Sequence, residues 1–207
     1  MINATDLYGE EADDDPLRAE FERARTLLEG DEWWRGLDEL EALAHRGSML
    51  STISVASCML EGWGYAQDLP GAEGWYGVAA ESGFAAGLCG LGLTHIRMGR
   101  FSDAFEDLQQ AVSRNYLPAY DALAYLYSQG LGVQKDPRKA LSLWRSASSQ
   151  GHLTAMRNMH WALIHGYGGL SGRIKGFWDL IPTAIEIAKA RRVTPRGYKG
   201  RWPVSGA

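Results

Sequence analysis

The chain has 207 residues, of which 45% are hydrophobic and 22% are charged, and its formal net charge is −4. This composition is typical of a globular protein that is long enough to bury a sizeable core. No apolar run approaches the roughly 20 residues that cross a bilayer, which excludes a transmembrane helix.

The N-terminal segment, residues 1–14, is acidic and poor in apolar residues, so we expect it to be mobile. It lacks the basic and apolar regions of a secretory signal, and we therefore expect a cytoplasmic protein. Charge is distributed unevenly: residues 1–41 hold 14 acids and 4 bases, whereas residues 173–207 hold 8 bases and 2 acids. The two ends of the chain carry opposite charge.

The first two predicted helices follow this segment. Asp15-Pro16 predicts a helix start, because aspartate caps free amides and proline at the first helical position gives up a donor that has no partner there. This helix is expected to end at Glu29, and a second helix is expected from Glu32 to Arg46. Apolar residues recur at helical spacing along the second helix, at Trp33, Leu37, Leu40 and Leu43.

An internal repeat follows. Residues 115–151 align with residues 47–83 at a constant offset of 68 residues, without a gap. The aligned positions are glycines, an aspartate, alanines and an aromatic residue: Gly130 with Gly62, Gly132 with Gly64, Asp136 with Asp68, Ala140 with Ala72, and Trp144 with Tyr76. Such a fixed offset is typical of a helical repeat protein.

Each aligned segment predicts two helices joined by a glycine loop. In residues 47–83 the helices are expected from Leu50 to Glu61 and from Leu69 to Glu81, and the glycines between them suit a left-handed exit from the first helix. In residues 115–151, Pro118 and Asp136-Pro137 mark the two helix starts. The inner face of the second helix is predicted to hold Ala140, Leu143, Trp144 and Ala147.

The whole array is predicted to span residues 15–191 as five repeats, 15–46, 47–82, 83–114, 115–150 and 151–191. The first repeat is degenerate, with Gly36 in the alanine place. The last has a second helix interrupted by Pro182, which we expect to kink or divide it. Residues 192–207 are rich in Pro, Gly and bases and are predicted to form a basic flexible tail.

The order of motifs in residues 119–151 resembles one repeat family. These motifs are Ala119, Leu123-Ala124, the run from Tyr127 to Val133, the step from Asp136 to Ala140, Trp144, and Gln150-Gly151. Together they resemble the Sel-one-like repeat (SLR) family, a relative of the tetratricopeptide repeat (TPR). The resemblance implies an all-α fold, a right-handed α-α superhelix (solenoid) of TPR-like helix-turn-helix repeats. It further implies that the first helix of each repeat lines a concave groove, and that the protein is an adaptor without a catalytic set.

The histidines and cysteines do not stand at spacings typical of a metal site or a catalytic motif. The closest histidines are His152, His160 and His165, but His160 and His165 are five residues apart on one helix and point to different sides, whereas zinc pairs usually stand three or four apart. Cys58 and Cys89 lie in apolar helical segments and are interpreted as buried thiols, with a disulfide as the alternative. The sequence therefore predicts no metal, no cofactor and no enzymatic activity.

The predicted function is protein binding. Five residues of the first helices lie outside the packing set and are candidate partner contacts: Tyr120, Asp121, Tyr125, Arg157 and Trp161. Aromatic residues and arginine are common at binding hot spots, although the tyrosines could equally pack between repeats. We expect a non-catalytic protein-protein interaction adaptor or scaffold, with an unidentified protein or peptide partner and no nucleic acid.

The basic C-terminal region supports an alternative. Aromatic, apolar and basic residues occur together in this region, at Phe177, Trp178, Ile181, Lys189, Arg191 and Arg192. This helix either caps the array or attaches the protein to a membrane surface, as a peripheral accessory of envelope or polysaccharide assembly. A further alternative is a partner that neutralises a toxin.

Overall fold

The computed structural model describes residues 15–167 and residue 169, and all regular elements in this part of the chain are α-helices. The chain divides into two compact units after Met98. The first unit contains α1 (Arg18–Leu27), α2 (Trp33–His45), α3 (Met49–Glu61), α4 (Leu69–Glu81) and α5 (Ala85–Arg97). The second contains α6 (Phe101–Ser113), α7 (Leu117–Gln129), α8 (Pro137–Ser149) and α9 (Leu153–Ile164).

Within each unit, every helix packs against the next helix along the chain. The helices α3 and α5 also contact each other in the first unit, as α7 and α9 do in the second. We call α3, α5, α7 and α9 the A helices, and α2, α4, α6 and α8 the B helices. This stacking of alternating A and B helices is the predicted all-α repeat solenoid, which is confirmed.

The predicted loop between A and B helices is confirmed by its backbone. Gly62 and Gly130 end their helices with φ values of +69° and +78°, in the left-handed region that glycine tolerates. The amide of Trp63 donates to the carbonyl of Cys58 at 2.9 Å, and at the corresponding place, 68 residues later, Leu131 donates to Leu126 at 3.1 Å. The sequence repeat is therefore also a repeat of hydrogen bonds.

The B helices of the two matching repeats begin at an aspartate. Asp136 accepts hydrogen bonds from the amides of Arg138 and Lys139, both at 3.0 Å, and Asp68 accepts one from Gly71 at 3.0 Å. In α8 the next residue is Pro137, as predicted from the sequence, and in α4 Pro70 also stands in the first turn.

Asp15 has a different role from the one predicted. The helix α1 begins at Arg18 rather than at Pro16. The buried Asp15 carboxylate accepts a hydrogen bond from the Leu17 amide at 2.8 Å, and also from the Ser48 hydroxyl at 2.9 Å and the Leu50 amide at 3.0 Å. Because Leu50 lies in the first turn of α3, Asp15 joins the residues just before α1 to a helix more than thirty residues away.

Each B helix buries a small residue, a large residue four positions later, and another apolar residue three positions after that. These sets are Gly36, Leu40 and Leu43; Ala72, Tyr76 and Ala79; Ala104, Leu108 and Ala111; and Ala140, Trp144 and Ala147. In α8, which packs against both α7 and α9, Leu141 is buried, whereas the predicted Leu143 is only half-buried. Trp33, predicted among the apolar residues of α2, is 39% exposed.

Some predictions lie outside the described residues. These are the N-terminal segment 1–14, most of the second helix of the last repeat, and the tail 192–207. In the part of the chain that the structure does describe, no helix has the length and apolar character needed to cross a membrane.

The glycine loop of the second unit gives a stability prediction. A Cβ atom on Gly132 would overlap the carbonyl oxygen of Phe101, whereas one on Gly151 would meet nothing within 4 Å, and both glycines have positive φ. We expect Gly132→Ala to lower the free energy of unfolding by about 3 kcal/mol and Gly151→Ala by about 1 kcal/mol, because only the first adds steric overlap to the backbone strain. Urea unfolding followed by circular dichroism measures both, and equal losses would contradict the close packing of this loop.

Candidate functional site

Four of the predicted contact residues lie on the A helices of the second unit at matching positions. Asp121 and Tyr125 are four residues apart on α7, and Arg157 and Trp161 are four residues apart on α9, so each pair shares one side of its helix. The two helices contact each other directly. We call these four residues the A-helix face of the second unit.

The aromatic members of this face are open to solvent. Tyr125 is 46% exposed and Trp161 is 49% exposed. Both are large side chains with apolar surface, and burying that surface in a partner would be favourable.

Asp121 connects the elements beneath the face. Its Oδ1 atom accepts hydrogen bonds from Trp144 Nε1 and from Asn158 Nδ2, both at 2.7 Å. The carboxylate therefore links α7 to α8 and to α9. Because Trp144 belongs to the buried set of α8, this half-buried aspartate couples the face to the core.

The Trp161 ring stacks on the ring of His165, the residue that caps the C-terminal end of α9. The two ring centroids lie 3.9 Å apart, at an interplanar angle of 21°. His165 Nδ1 is also 2.8 Å from the carbonyl oxygen of Trp161. Tyr167 meets the Trp161 ring edge-on at 6.3 Å and stacks with Trp144 at 6.4 Å. The indole is thus ordered although half of it is exposed.

Arg157 and Tyr120 are placed differently. Arg157 is half-buried, and its Nε donates to Asn158 Oδ1 at 3.3 Å. The hydroxyl of Tyr120 donates to Asn115 Oδ1 at 3.0 Å, which ties this half-buried ring to the turn before α7. Tyr120 is not part of the A-helix face, and its role as a partner contact remains a prediction, as do those of the other four residues.

The corresponding positions of the first unit carry other side chains. On α3 they are Ile53 and Ser57, and on α5 they are Cys89 and Leu93. Ile53 and Cys89 are buried, and Leu93 is 38% exposed. The pairing of an exposed aromatic residue with a charged one is therefore specific to the A helices of the second unit.

The two cysteines lie within α3 and α5. Both cysteines are free, and burial raises the pKa of the Cys58 thiol to about 12, which keeps it in the unreactive thiol form at neutral pH. Over residues 15–167 and 169, no group of three or more His, Cys, Asp or Glu side chains is arranged to hold a metal ion. The proposed membrane-contact residues lie outside these ranges: Phe177, Trp178, Ile181, Lys189, Arg191 and Arg192.

Three residues of the site were not identified from the sequence. Asn158 bridges to Asp121, His165 stacks on Trp161, and His152 caps α9 by accepting a hydrogen bond from the Ala155 amide at 3.2 Å. His152 stands directly before α9, but Asp, Ser, Thr or Asn is usual at that position, so the residue type did not indicate a cap. The other two contacts depend on how the helices are rotated, which the sequence does not specify.

Comparison with known proteins supports the repeat assignment. The family model for the Sel1 repeat matches residues 51–84 and 117–152. These matched segments cover α3 with α4 and α7 with α8, the two pairs that the offset of 68 residues relates.

Two crystal structures share the fold. A Sel1 repeat protein from Oxalobacter formigenes is 18% identical in sequence, with a TM-score of 0.71 over 83% of this chain and 72% of that protein. The second is c5321, a protective antigen of uropathogenic Escherichia coli with an SLR fold. It is 22% identical, with a TM-score of 0.65 over 87% of this chain and 44% of its own. No curated protein matches the sequence.

His152 makes the stability of the second unit depend on pH. Its burial lowers its pKa from the ordinary value of 6.5, and the nearby Asp121 carboxylate opposes this only in part. The folded state therefore binds the proton more weakly than the unfolded state. The stability contributed by neutral His152 is present above pH 6.5 and is lost as the pH falls below it, when protonation also removes the cap acceptor.

We expect His152→Asn to reduce this pH dependence, because asparagine can accept the same hydrogen bond and does not titrate. Urea unfolding at pH 7.5 and at pH 5.5 measures the change. The wild-type protein should lose more stability between the two values than the variant does. An equal loss in both proteins would contradict this role of His152.

Proposed function

We propose that this chain, which carries two segments matching the Sel1 repeat, is an adaptor or scaffold that binds another protein through the A-helix face of its second unit. Sel1 and TPR-like repeats are generally protein-interaction modules, and the Sel1 repeat family is generally a non-catalytic scaffold. The proposal adds to this general property a specific surface, Asp121, Tyr125, Arg157 and Trp161.

The observation that carries the proposal is the exposure of Tyr125 and Trp161. They occupy the same position on neighbouring A helices, and they are the large hydrophobic side chains exposed in the described part of the second unit. Tyrosine and tryptophan are the residues that most often dominate binding energy, because they bury a large area with few rotatable bonds. Two such residues side by side form a surface suited to an apolar segment of a partner.

The contacts around these side chains support the same conclusion. Trp161 stacks on His165, and α7 is joined to α9 by the hydrogen bond between Asp121 and Asn158. Side chains that are already ordered lose less conformational entropy when a partner binds, so more of the contact energy remains as affinity. Arg157 adds a positive charge beside Trp161 and favours a partner that offers hydrogen-bond acceptors at this end.

We expect Tyr125→Ala combined with Trp161→Ala to weaken partner binding by about a hundredfold or more, because two hot-spot side chains are removed. A partner is first captured from a lysate of the source cells and identified by mass spectrometry, and its dissociation constant is then measured with purified proteins. Circular dichroism checks that the variant is folded.

The matched control is Arg138→Ala combined with Arg145→Ala, which changes two exposed residues of α8 in the same unit. This variant should bind the partner within about threefold of the wild-type protein, as expected for residues outside a hot spot. If the aromatic double variant keeps its affinity, or if the arginine control loses as much, the assignment of this face is wrong.

A further inference from the structure

We propose that the first unit carries a second protein-binding surface, which takes an arginine-rich segment of a partner. This tryptophan surface consists of Trp33, Trp34 and Trp63 with the carboxylates of Asp38 and Glu41. It lies on other helices than the A-helix face of the second unit, so the two proposals can fail independently.

Three indole rings lie together on this surface. Trp33 is the central ring: it meets Trp34 edge-on at 6.1 Å and Trp63 at 5.8 Å, with the planes of the second pair tilted by 49°. Trp33 and Trp34 are 39% and 48% exposed, although indole is among the most costly side chains to leave in water. Exposed aromatic rings in such a group mark an interaction site.

The loop between α3 and α4 holds the group in place. A Cβ atom on Gly64 would overlap the side chain of Leu37 and come within 3.1 Å of the Trp33 ring. The backbone beside Trp63 therefore lies directly on α2. Gly64 also has a φ of +72°, which glycine tolerates better than other residues. The close approach of this loop to α2 positions the Trp63 ring against Trp33.

Two carboxylates lie on α2, the helix that carries Trp33 and Trp34. Asp38 follows Trp34 by four residues on α2, is exposed, and has no hydrogen-bond or ion-pair partner within the described ranges. Glu41 accepts a hydrogen bond from the Tyr65 hydroxyl at 3.4 Å. Asp38 and Glu41 are three residues apart on α2, so the two carboxylates lie on one side of this helix. Burial of Tyr65, together with the charge of Glu41, raises the Tyr65 pKa to about 12.

The wider segment is also acidic. Residues 29–41 contain six acids and one base, Arg35, and that arginine is paired with Glu32. An anionic membrane or a nucleic acid would be repelled by this charge. A cation, in contrast, is attracted both by the carboxylates and by the negative faces of the indoles.

Arginine fits this surface better than lysine. Its guanidinium group is planar, can stack on an indole face, and is weakly hydrated, whereas the lysine ammonium group is compact and strongly hydrated. A guanidinium over the Trp34 ring would lie within one helical turn of the Asp38 carboxylate. The expected ligand is therefore an exposed chain segment with several arginines.

The test uses the full-length protein and two labelled peptides, one alternating arginine with glycine and one alternating lysine with glycine. Fluorescence anisotropy at low salt measures both affinities. We expect the arginine peptide to bind about threefold to tenfold more tightly, because only arginine adds stacking to the ionic attraction. Equal affinities, or no binding of the arginine peptide, would overturn the proposal.

Two variants separate stacking from charge. Trp34→Ala should weaken the arginine peptide by about threefold to tenfold and remove the preference over lysine. Asp38→Asn should weaken both peptides by about twofold to fivefold. Glu81→Gln makes the same change in net charge at the far end of α4 and should leave both affinities unchanged. The surface is wrongly assigned if Trp34→Ala binds as the wild type does, or if Glu81→Gln weakens binding as much as Asp38→Asn.

Two other occupants would also overturn the proposal, and each has a distinct outcome. If sedimentation shows a dimer that Trp34→Ala converts to a monomer, the surface binds a second copy of the chain. If replacing the chain's own Arg191, Arg192 and Arg196 with glutamine raises the affinity for the arginine peptide, the protein's own basic segment is the occupant. If Trp34→Ala does not change sedimentation, and if the glutamine variant does not change the affinity for the arginine peptide, a separate partner is supported.

Discussion

The fold depends on helices that approach each other more closely than an added Cβ atom would allow. A Cβ on Gly87 of α5 would lie 2.6 Å from the Ala80 amide nitrogen of α4, and a Cβ on Gly36 of α2 would lie 2.9 Å from the Ala24 carbonyl oxygen of α1. Real Cβ contacts are not found at such distances, so these positions require glycine. Gly36, which looks like a departure from the repeat pattern, is therefore the residue that this pair of helices needs.

Interactions between residues close in sequence explain which parts of the repeat could be predicted. The start of α8 at Asp136-Pro137 and the bounds of α4, Leu69 and Glu81, were predicted correctly, because caps and left-handed glycines act within a few residues of themselves. Alanine at the closest contacts and a bulky residue beside it follow a helical period that can be counted along the chain.

Contacts between separate helices could not be predicted in this way. Asp15 has the local pattern of a cap for α1, but its carboxylate also binds Ser48 and Leu50, and this depends on how α1 packs beside α3. Trp33 follows the apolar period of α2, yet it is the first residue of that helix and packs on Trp63 instead of in the core. The hydrogen bonds that Asp121 accepts from Trp144 and Asn158 could not be predicted for the same reason, because both donors lie on other helices.

The repeat positions and the candidate functional positions are therefore separate. Glycine, alanine and the capping aspartates determine how the helices stack, and they recur. The exposed residues between these positions do not recur. The A helices of the second unit expose aromatic rings together with Arg157, whereas the first unit exposes aromatic rings together with carboxylates. Repeat proteins generally keep one packing solution and vary the exposed positions, which lets a single fold serve different partners.

The most direct test of the central claim is photo-cross-linking of the partner complex. A photoreactive phenylalanine analogue is placed at Tyr125, at Trp161 or, as a control on α8, at Arg138, and each protein is irradiated with the captured partner. The account predicts covalent adducts from the first two positions and none from the third. Adducts from position 138 alone would show that the partner binds elsewhere and would contradict it.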